Sequence, residues 1–591
     1  MNENASNTWI EKAETLSFNL LWNKPISETD CYSTHAKPIN ENFSNMQLKS
    51  RWNNIDWKTV ETHVNRLQVR ITKAVIKGKW NLVKRLSYLL THSFYAKLLA
   101  VRKVIQNKGK RTAGIDGELW NTPEAKMKAT LKLSEKKYKA KPLKRVYIEK
   151  YGKSKKRPLG IPTMYDRAMQ SLYALALNPI AEVTADKHSF GFRKSRSAQD
   201  ACEQIFGVTS RKFDAPWILE GDIKGCFDNI SHQWLLDNIP MDKSVLKQFL
   251  KAGFVFNQTF FPTEAGTPQG GIISPILANM TLDGIEAVLE NIFHRGRSGR
   301  ITRCQRNRQK VNFVRYADDL IVTANTKEVA EEAKKLIMVF LKEKGLELSK
   351  EKTLITHINV GFDFLGWNFR KYNGKLLIKP SKKSIQKLTE KISNIIKKGK
   401  SWTQKALIKT LNPIITGWTN YHQAVVSKNI FSIMDSRIWS MLWKWAKRRH
   451  PMKPRNWISR NYWHTKGTRN WVFSTGIIQL KLLSDKKIVR HPRLTLDKSP
   501  YLDKEYFDIR KHNQGLRKLS GKFKKLWVNQ KGICPICSLP IDINADAEER
   551  PLHHKNENRK DNRISNLVYT HVHCHRQHHA TNFKPNNGCP T

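Results

Sequence analysis

Val311-Asn312-Phe313-Val314-Arg315-Tyr316-Ala317-Asp318-Asp319-Leu320-Ile321-Val322-Thr323-Ala324-Asn325 is the stretch that decides how this chain is read. Apolar, β-prone residues flank a tight Ala317-Asp318-Asp319 step, which predicts a hairpin carrying two adjacent carboxylates at its tip. Adjacent acids repel, so a folded tip holds them together at a cost unless a cation lies between them. Roughly 100 residues upstream, Trp217-Ile218-Leu219-Glu220-Gly221-Asp222-Ile223-Lys224-Gly225-Cys226-Phe227-Asp228-Asn229-Ile230 ends a second apolar strand on Asp222. Ser231 then caps a helix that carries Trp234, Leu235 and Leu236. One Asp from a strand end and an Asp pair from a neighbouring hairpin make a carboxylate cluster suited to two Mg²⁺ ions about 4 Å apart.

The bulk numbers point to a polyanionic partner. The 591 residues carry 105 Lys+Arg against 50 Asp+Glu, a net charge of +55. That field exceeds what solubility needs and makes binding to nucleic acid strongly salt-dependent. Eighteen Trp, 15 Tyr and 24 Phe exclude a disordered basic tail and offer surfaces on which bases stack. No basic amphipathic helix stands apart from globular sequence, no apolar run approaches the ~18 residues of a membrane span, and Met1-Asn2-Glu3-Asn4-Ala5-Ser6-Asn7 is not a secretory signal. Of the eight cysteines, Cys31, Cys202, Cys226 and Cys304 are scattered singly, which fits a reducing compartment rather than a disulfide framework.

Tyr316-Ala317-Asp318-Asp319, with Asp222-Ile223 and Phe227-Asp228 upstream, resembles the palm of a reverse transcriptase, and the neighbouring motifs narrow the resemblance to group II intron-encoded maturases. It covers residues from about 50 to 580 and implies an α+β multidomain fold: right-hand fingers and palm, a three-helix thumb, and a C-terminal zinc-bearing ββα-metal HNH domain. The expected boundaries are 1–50 for a flexible lead-in rich in Asn and Ser, 51–375 for fingers and palm with an N-terminal extension, 376–470 for the thumb or maturase domain, 471–525 for a DNA-binding segment, and 526–591 for the HNH domain.

Within the polymerase, Leu143-Lys144-Arg145-Val146-Tyr147-Ile148 and Lys155-Lys156-Arg157-Pro158-Leu159-Gly160-Ile161-Pro162 read as two strands around a basic turn. Arg145, Arg157 and Lys156 are the candidates for neutralising a nucleoside triphosphate. Ser189-Phe190-Gly191-Phe192-Arg193 matches a family segment beside the palm that faces the nucleotide. By the resemblance Asp222, Asp318 and Asp319, with Ile223, hold two Mg²⁺, while Phe227 is a steric gate against a 2′-hydroxyl, which implies DNA synthesis. Gln269, in Gly266-Thr267-Pro268-Gln269-Gly270-Gly271, is the candidate for hydrogen-bonding the nucleotide. The stripe Val329, Ala333, Leu336, Ile337, Phe340 and Leu341, stopped by Gly345, is a core helix. Phe364-Leu365-Gly366-Trp367 closes this part, with Trp where the family more often has Phe.

Beyond Pro380 three amphipathic segments form the thumb: Ile385, Leu388, Ile392 and Ile395 with Gly399 as the stop, a segment bearing Gly417-Trp418, and the stripe Phe431, Met434, Ile438, Leu442 and Trp445. The last runs into Lys447-Arg448-Arg449-His450-Pro451, and Lys447, Arg448 and Arg449 are candidate RNA contacts. Seven of the 19 histidines lie after residue 552. Cys534, Cys537, His571 and Cys574 have the spacing of a structural Zn²⁺ site. Interleaved His553, His554, Asn566, His575 and His579 resemble an HNH endonuclease. The resemblance puts His553, His575 and His579 on a catalytic Mg²⁺, Mn²⁺ or Zn²⁺, makes His554 the general base and Asn566 a loop-orienting, nucleic-acid-side residue. His571 departs from the Cys of many relatives, and the loop from Lys555 to Ser565 lacks the usual Gly-Gly.

The implied function is threefold: splicing of its own group II intron RNA as a ribonucleoprotein, nicking of target double-stranded DNA, and copying of the intron RNA from the exposed 3′ end with dNTPs. The expected setting is the bacterial cytoplasm, with a nucleoid-associated DNA target, or an organelle, without a membrane partner, as monomer or homodimer. Two other readings are a splicing-only maturase with silent sites and a reverse transcriptase unconnected with introns. Intact Asp222, Asp318, Asp319 and His554 argue against the first, and the thumb signature and HNH tail against the second.

Overall fold

The computed structural model describes residues 43–149, 156–294, 308–466, 469–519, 521–536, 538–543, 550–558 and 561–581. They fall into two units. The first runs to Phe362 and takes in Arg370–Leu376 and Leu494–Leu502; the second holds Asp363–Phe369, Leu377–Arg493 and the chain from Asp503.

Most of the expected lead-in, residues 1–42, lies outside the described residues. Its end does not behave as a lead-in, because a helix spans Asn45–Asn53. Ser44 accepts from the Gln47 amide while the Gln47 side chain accepts from the Ser44 amide, so the polar residues act as a capping box. Helices Trp57–Ile76, Trp80–His92 and Phe94–Gln106 follow, and their buried Val64, Ile71, Leu86, Leu90 and Val101 join the main core with the helix Met164–Thr184.

Eight strands of the first unit are β1 (Leu143–Ile148), β2 (Arg157–Ile161), β3 (Trp217–Asp222), β4 (Phe254–Phe256), β5 (Thr259–Phe261), β6 (Asn312–Tyr316), β7 (Asp319–Ala324) and β8 (Leu354–His357). They form two four-stranded sheets, β2-β1-β4-β5 and β6-β7-β3-β8. In the second sheet all neighbours are antiparallel, and Ile218, Leu219, Leu320, Ile321 and Val322 are buried. The helix Lys327–Lys342 buries Ala330, Ala333, Ile337 and Leu341, and Gly345 (φ 74°) ends it as its sequence position predicts.

Three further strands, β9 (Phe362–Phe364), β10 (Trp367–Tyr372) and β11 (Lys375–Pro380), pair in the order β11-β10-β9. Trp367 is fully buried and stacks on Tyr421, with ring centroids 4.6 Å apart. The second unit is built on the helices Lys382–Lys398, Gln404–His422 and Lys428–Arg449. Leu388, Ile392, Leu407, Leu411, Phe431, Met434, Ile438, Leu442 and Trp445 share one core, the stripes expected of the thumb. A hairpin of β12 (Trp463–Lys466) and β13 (Arg469–Phe473) packs on that core through Trp463 and Phe473.

The stretch expected to be one DNA-binding segment is divided: Leu494–Leu502 belongs to the first unit, where Asp497 pairs with Lys187 and the Tyr501 ring lies under Lys194. Helices Lys504–Lys518 and Gly521–Asn529 come next. The first of them buries little beyond Phe507, so its apolar stripe is too thin to show as a period. At the C-terminus β14 (Leu552–His554) and β15 (Leu567–Tyr569) pair antiparallel and precede the helix Val572–Thr581. Among the described residues no helix is long and apolar enough to cross a membrane.

The basic end of the third thumb helix needs one correction. Arg449 donates to the carbonyls of Lys400 (2.9 Å) and Trp402 (2.8 Å) and lies over the Trp445 ring, so its guanidinium closes the bundle. Lys447 and Arg448 are exposed. Arg449→Ala is therefore expected to lower stability in urea by about 1–3 kcal/mol. The double substitution Lys447→Ala, Arg448→Ala should leave the midpoint unchanged.

Candidate functional site

Tyr316 pairs with Asp319, so Ala317 and Asp318 make the whole hairpin connection. Ala317 sits at φ 59°, a left-handed conformation that costs a non-glycine residue about 1–2 kcal/mol. Buried groups hold it there. Arg315, without exposed surface, pairs with Asp283 and donates to Asn279 Oδ1 at 3.1 Å and to the Ala317 carbonyl at 3.4 Å. Asn279 Nδ2 in turn donates to the Gly191 carbonyl at 2.7 Å. A Cβ on Gly191 would lie 2.3 Å from the Ala317 nitrogen, so glycine is required at this approach. Burial pushes Asp186 and Asp283 up in pKa, against the pull of Arg315.

This clamp fixes the carboxylates. Antiparallel pairing of β3 with β7 sets Asp222 opposite Asp319, with Asp318 adjacent in the turn. Burial raises the Asp318 pKa, and burial followed by the charges of Asp318 and Asp222 raises Asp319 from 3.8 to about 6. The cations that oppose this are Lys352, which pairs with Asp222, and Arg157, whose charge favours ionised Asp318. Three partly desolvated carboxyl groups that repel one another form a donor set that fits divalent cations. Ile223 bridges Leu348 and its side chain is buried, which leaves its carbonyl as the group it could offer a metal.

Around the cluster, Gly225 (φ 57°) turns the chain after β3 and half-buried Phe227 meets the exposed Phe192 ring edge-on at 6.2 Å. Thr267 N donates to the Phe227 carbonyl at 2.6 Å, Gln269 Nε2 donates to Asp228 Oδ2 at 2.9 Å, and the Gln269 carbonyl accepts from Gly160 N at 2.8 Å. The Gln269 loop thus joins β2 to the segment after Asp222. The candidates on the flap do not converge. Arg145 is opposite Gly160 while Arg157 is opposite Ile148, so the two arginines project from opposite faces of the ribbon. Arg145 lies over the Phe254 ring at 3.8 Å, and Lys156 is exposed. Lys352 and Asp228 are site neighbours that sequence reasoning missed; Asp228 stood inside the stretch that ends β3, and no spacing rule marks a lone counter-ion such as Lys352.

In the C-terminal ββα element, His553 on β14 and the i, i+4 pair His575 and His579 have ligand atoms within 4.8 Å of one another. Burial, then the neighbouring imidazoles of His578, His575 and His579, lowers the His553 pKa and favours the neutral ring that ligates metal. Glu557 and His578 form a further group with His579, a neighbour set the sequence reading did not single out. Cys534, His571 and Cys574 are a second cluster within 4.8 Å; Cys537, expected as its fourth ligand, lies outside the described residues. Next to His553 on the strand, His554 Nε2 lies 3.2 Å from Asn562 Oδ1. The Asn566 amide donates to Asn556 Oδ1 (2.7 Å) and the Asp561 carbonyl (2.9 Å) and accepts from Asn556 N (3.0 Å). It is engaged inside the loop, so its expected orienting role has geometric support and a nucleic-acid contact through the amide does not.

Comparison with known proteins agrees with this geometry. Residues 148–369 match the family model for reverse transcriptase (RNA-dependent DNA polymerase), 52–133 that for the N-terminal domain of reverse transcriptase, and 385–463 that for the group II intron maturase-specific domain. The chain is 33% identical over 421 residues to the group II intron-encoded protein LtrA of Lactococcus lactis subsp. cremoris, covering 57% of this chain and 69% of that one. It is 31% identical over 305 residues to protein YkfC of Escherichia coli (45% and 78% covered). It is 28% identical over 424 residues to a 91 kDa protein in the cob intron of Schizosaccharomyces pombe (58% and 51% covered).

The raised Asp319 pKa has a thermodynamic sign. Above pH 6 the metal-free fold carries this carboxylate charged at a cost, whereas below about 3.8 it is protonated both folded and unfolded and the cost is gone. Asp319→Asn is expected to stabilise the chelator-treated protein by about 1–3 kcal/mol near neutral pH. The gain should shrink as pH falls through 6 toward 3.8, and on adding Mg²⁺, which stabilises the wild type more than a variant that has lost one carboxylate. Urea unfolding at a series of pH values checks both.

Proposed function

The chain belongs to the family of group II intron-encoded reverse transcriptases and maturases, and from that premise we propose that it nicks a DNA target and copies its intron RNA from the exposed 3′ end. The observation that carries the polymerase part is the register of Asp222 against Asp319 beside the tip residue Asp318. Asp222, Asp318, Asp319 and the Ile223 carbonyl would hold two Mg²⁺, whose chemistry there would be activation of the primer hydroxyl and charge neutralisation of the leaving pyrophosphate. Arg157 and Lys156 approach the triphosphate from the flap, Phe227 bars a 2′-hydroxyl, and Gln269 ties Asp228, next to that gate, to Gly160 of the flap. Arg145 supports the flap through Phe254.

The endonuclease part rests on His553, His575 and His579 grouped on one ββα element, with His554 on the same strand as the base that takes a proton from water. Cys534, His571 and Cys574, with Cys537, would hold the structural zinc. Intron RNA is the partner of the maturase domain, and Lys447 and Arg448 are its proposed phosphate contacts there. Target duplex DNA and dNTPs complete the set. The working division is polymerase over 51–375, thumb over 376–470 and HNH over 526–591, with a DNA-contacting segment in 471–525 that excludes 494–502.

Asp318→Ala should lower Mg²⁺-dependent DNA synthesis on an RNA template by roughly a thousandfold or more while RNA retention on a filter stays near wild type. His554→Ala should lower target-strand nicking by roughly 10²–10⁴-fold and spare primer extension. A variant that nicks at the wild-type rate removes His554 from the mechanism.

A further inference from the structure

Four tryptophans gather on one face of the second unit. Trp439 and Trp443, one turn apart on the helix Lys428–Arg449, lie nearly parallel with centroids 5.4 Å apart. Trp463 on β12 is 5.2 Å from Trp443, and Trp471 on β13 stands at 69° to Trp439 and 59° to Trp443, with centroids 6.2 and 6.4 Å away. Three features of this group do not serve the core. Trp471 is 55% exposed and Trp439 38%, although each offers a large apolar ring. Trp471 also has a left-handed backbone, φ 62°, a strained setting for a bulky side chain that a folding role alone does not reward. Finally, Trp463 is only 5% exposed, yet its indole N–H has no acceptor among the described residues, and it lines a cavity of about 30 Å³ together with Trp439, Trp471 and Lys481. That volume admits one polar atom, not a ring.

The charges around the group favour an anion. The row Trp439, Trp443, Lys447 continues at i, i+4 spacing to an exposed cation, with exposed Lys444 and Arg448 beside it. The nearby acids are engaged: Asp435 accepts from the amides of Leu483 (2.8 Å) and Ser484 (2.9 Å), and Asp485 pairs with Arg469. An exposed flat ring, an indole donor without an acceptor among the described residues, and exposed cations along one helix row match a ligand with a π-face, an edge oxygen and a phosphate.

We propose that the exposed ring of Trp471, bordered edge-on by Trp439, is a stacking platform for an unpaired base of single-stranded RNA, whose exocyclic oxygen accepts from the Trp463 N–H while its phosphate meets Lys447. The inference rests on the reading of this unit as RNA-binding and adds to it where, and in what form, the RNA is held. Duplex RNA, whose bases are stacked on one another, is not a ligand of the platform.

The test is photocrosslinking of the full-length protein to a short single-stranded RNA carrying one 4-thiouridine, in about 0.5 M KCl so that exposed-charge binding is screened. Crosslinks are expected in the peptides that hold Trp439 or Trp471. Trp471→Gly removes the ring and suits the left-handed backbone, so thermal unfolding should stay within a few degrees of wild type. The crosslink at these peptides should fall by about 5- to 150-fold, the span of one base–aromatic stack. Trp471→Tyr should recover most of it. Wild-type protein that crosslinks elsewhere but not at these peptides overturns the platform and leaves the maturase reading standing. Wild-type protein that retains no RNA overturns both. A Trp471→Gly loss shared equally by duplex RNA, or larger on single-stranded DNA of the same sequence, also overturns it. So does unchanged crosslinking with dissociation of a dimer in sedimentation, which would make the face a protein interface.

Discussion

Like charges forced together by backbone pairing are the constraint on which this protein depends. The β3–β7 register leaves Asp222 and Asp319 no freedom to separate, and the two-residue turn keeps Asp318 beside them. At a few ångströms and an effective dielectric near 20, each such pair costs up to about 4 kcal/mol. Much of the surrounding architecture serves to hold that arrangement. Gly221 lets the strands approach, since a Cβ there would lie 2.6 Å from Leu320 Cδ1, and Gly191 lets a loop close on the turn from behind. The buried Arg315–Asp283 pair, tied to Asn279, fixes the strand that leads into the turn. Paired and hydrogen-bonded, it tolerates burial; with one partner removed it would leave an isolated charge in the core.

How far the sequence reveals this depends on the range of the forces involved. Alternating and continuous apolar runs reported β3, β6, β7 and the three thumb helices, because burial of one face or both is written into local spacing. The histidine and cysteine clusters were equally legible, since metal ligation fixes residue type and interval together. What escaped was set by register or by distant partners. A shift of one residue sends a side chain to the other face of a ribbon, and this separated Arg145 from Arg157 although both looked alike in the chain. Arg449 resembled its two basic neighbours until its carbonyl partners nearly 50 residues away were placed. Asn and Ser before residue 50 suggested slack chain where they start a helix. Arg315 read as one more basic strand residue, and its burial is explained by Asp283, Asn279 and the Ala317 carbonyl.

The two kinds of electrostatics in this chain are separable, and that bears on function. A net charge of +55 acts at long range, falls away with salt and concerns capture of nucleic acid. The aspartate cluster acts over a few ångströms in a partly desolvated site, and its cost appears as the raised pKa of Asp319. The cluster is a negative island in a positive field: Lys352 and Arg157 are close enough to moderate it. A primer end and a triphosphate are both anionic, so they are drawn by the field yet repelled by the carboxylates themselves. Divalent cations held by the three carboxylates would resolve that conflict, because they would reverse the sign of the site and leave the surrounding field unchanged. Binding and catalysis can then be lost independently. Screening by salt weakens the first kind and hardly touches the second.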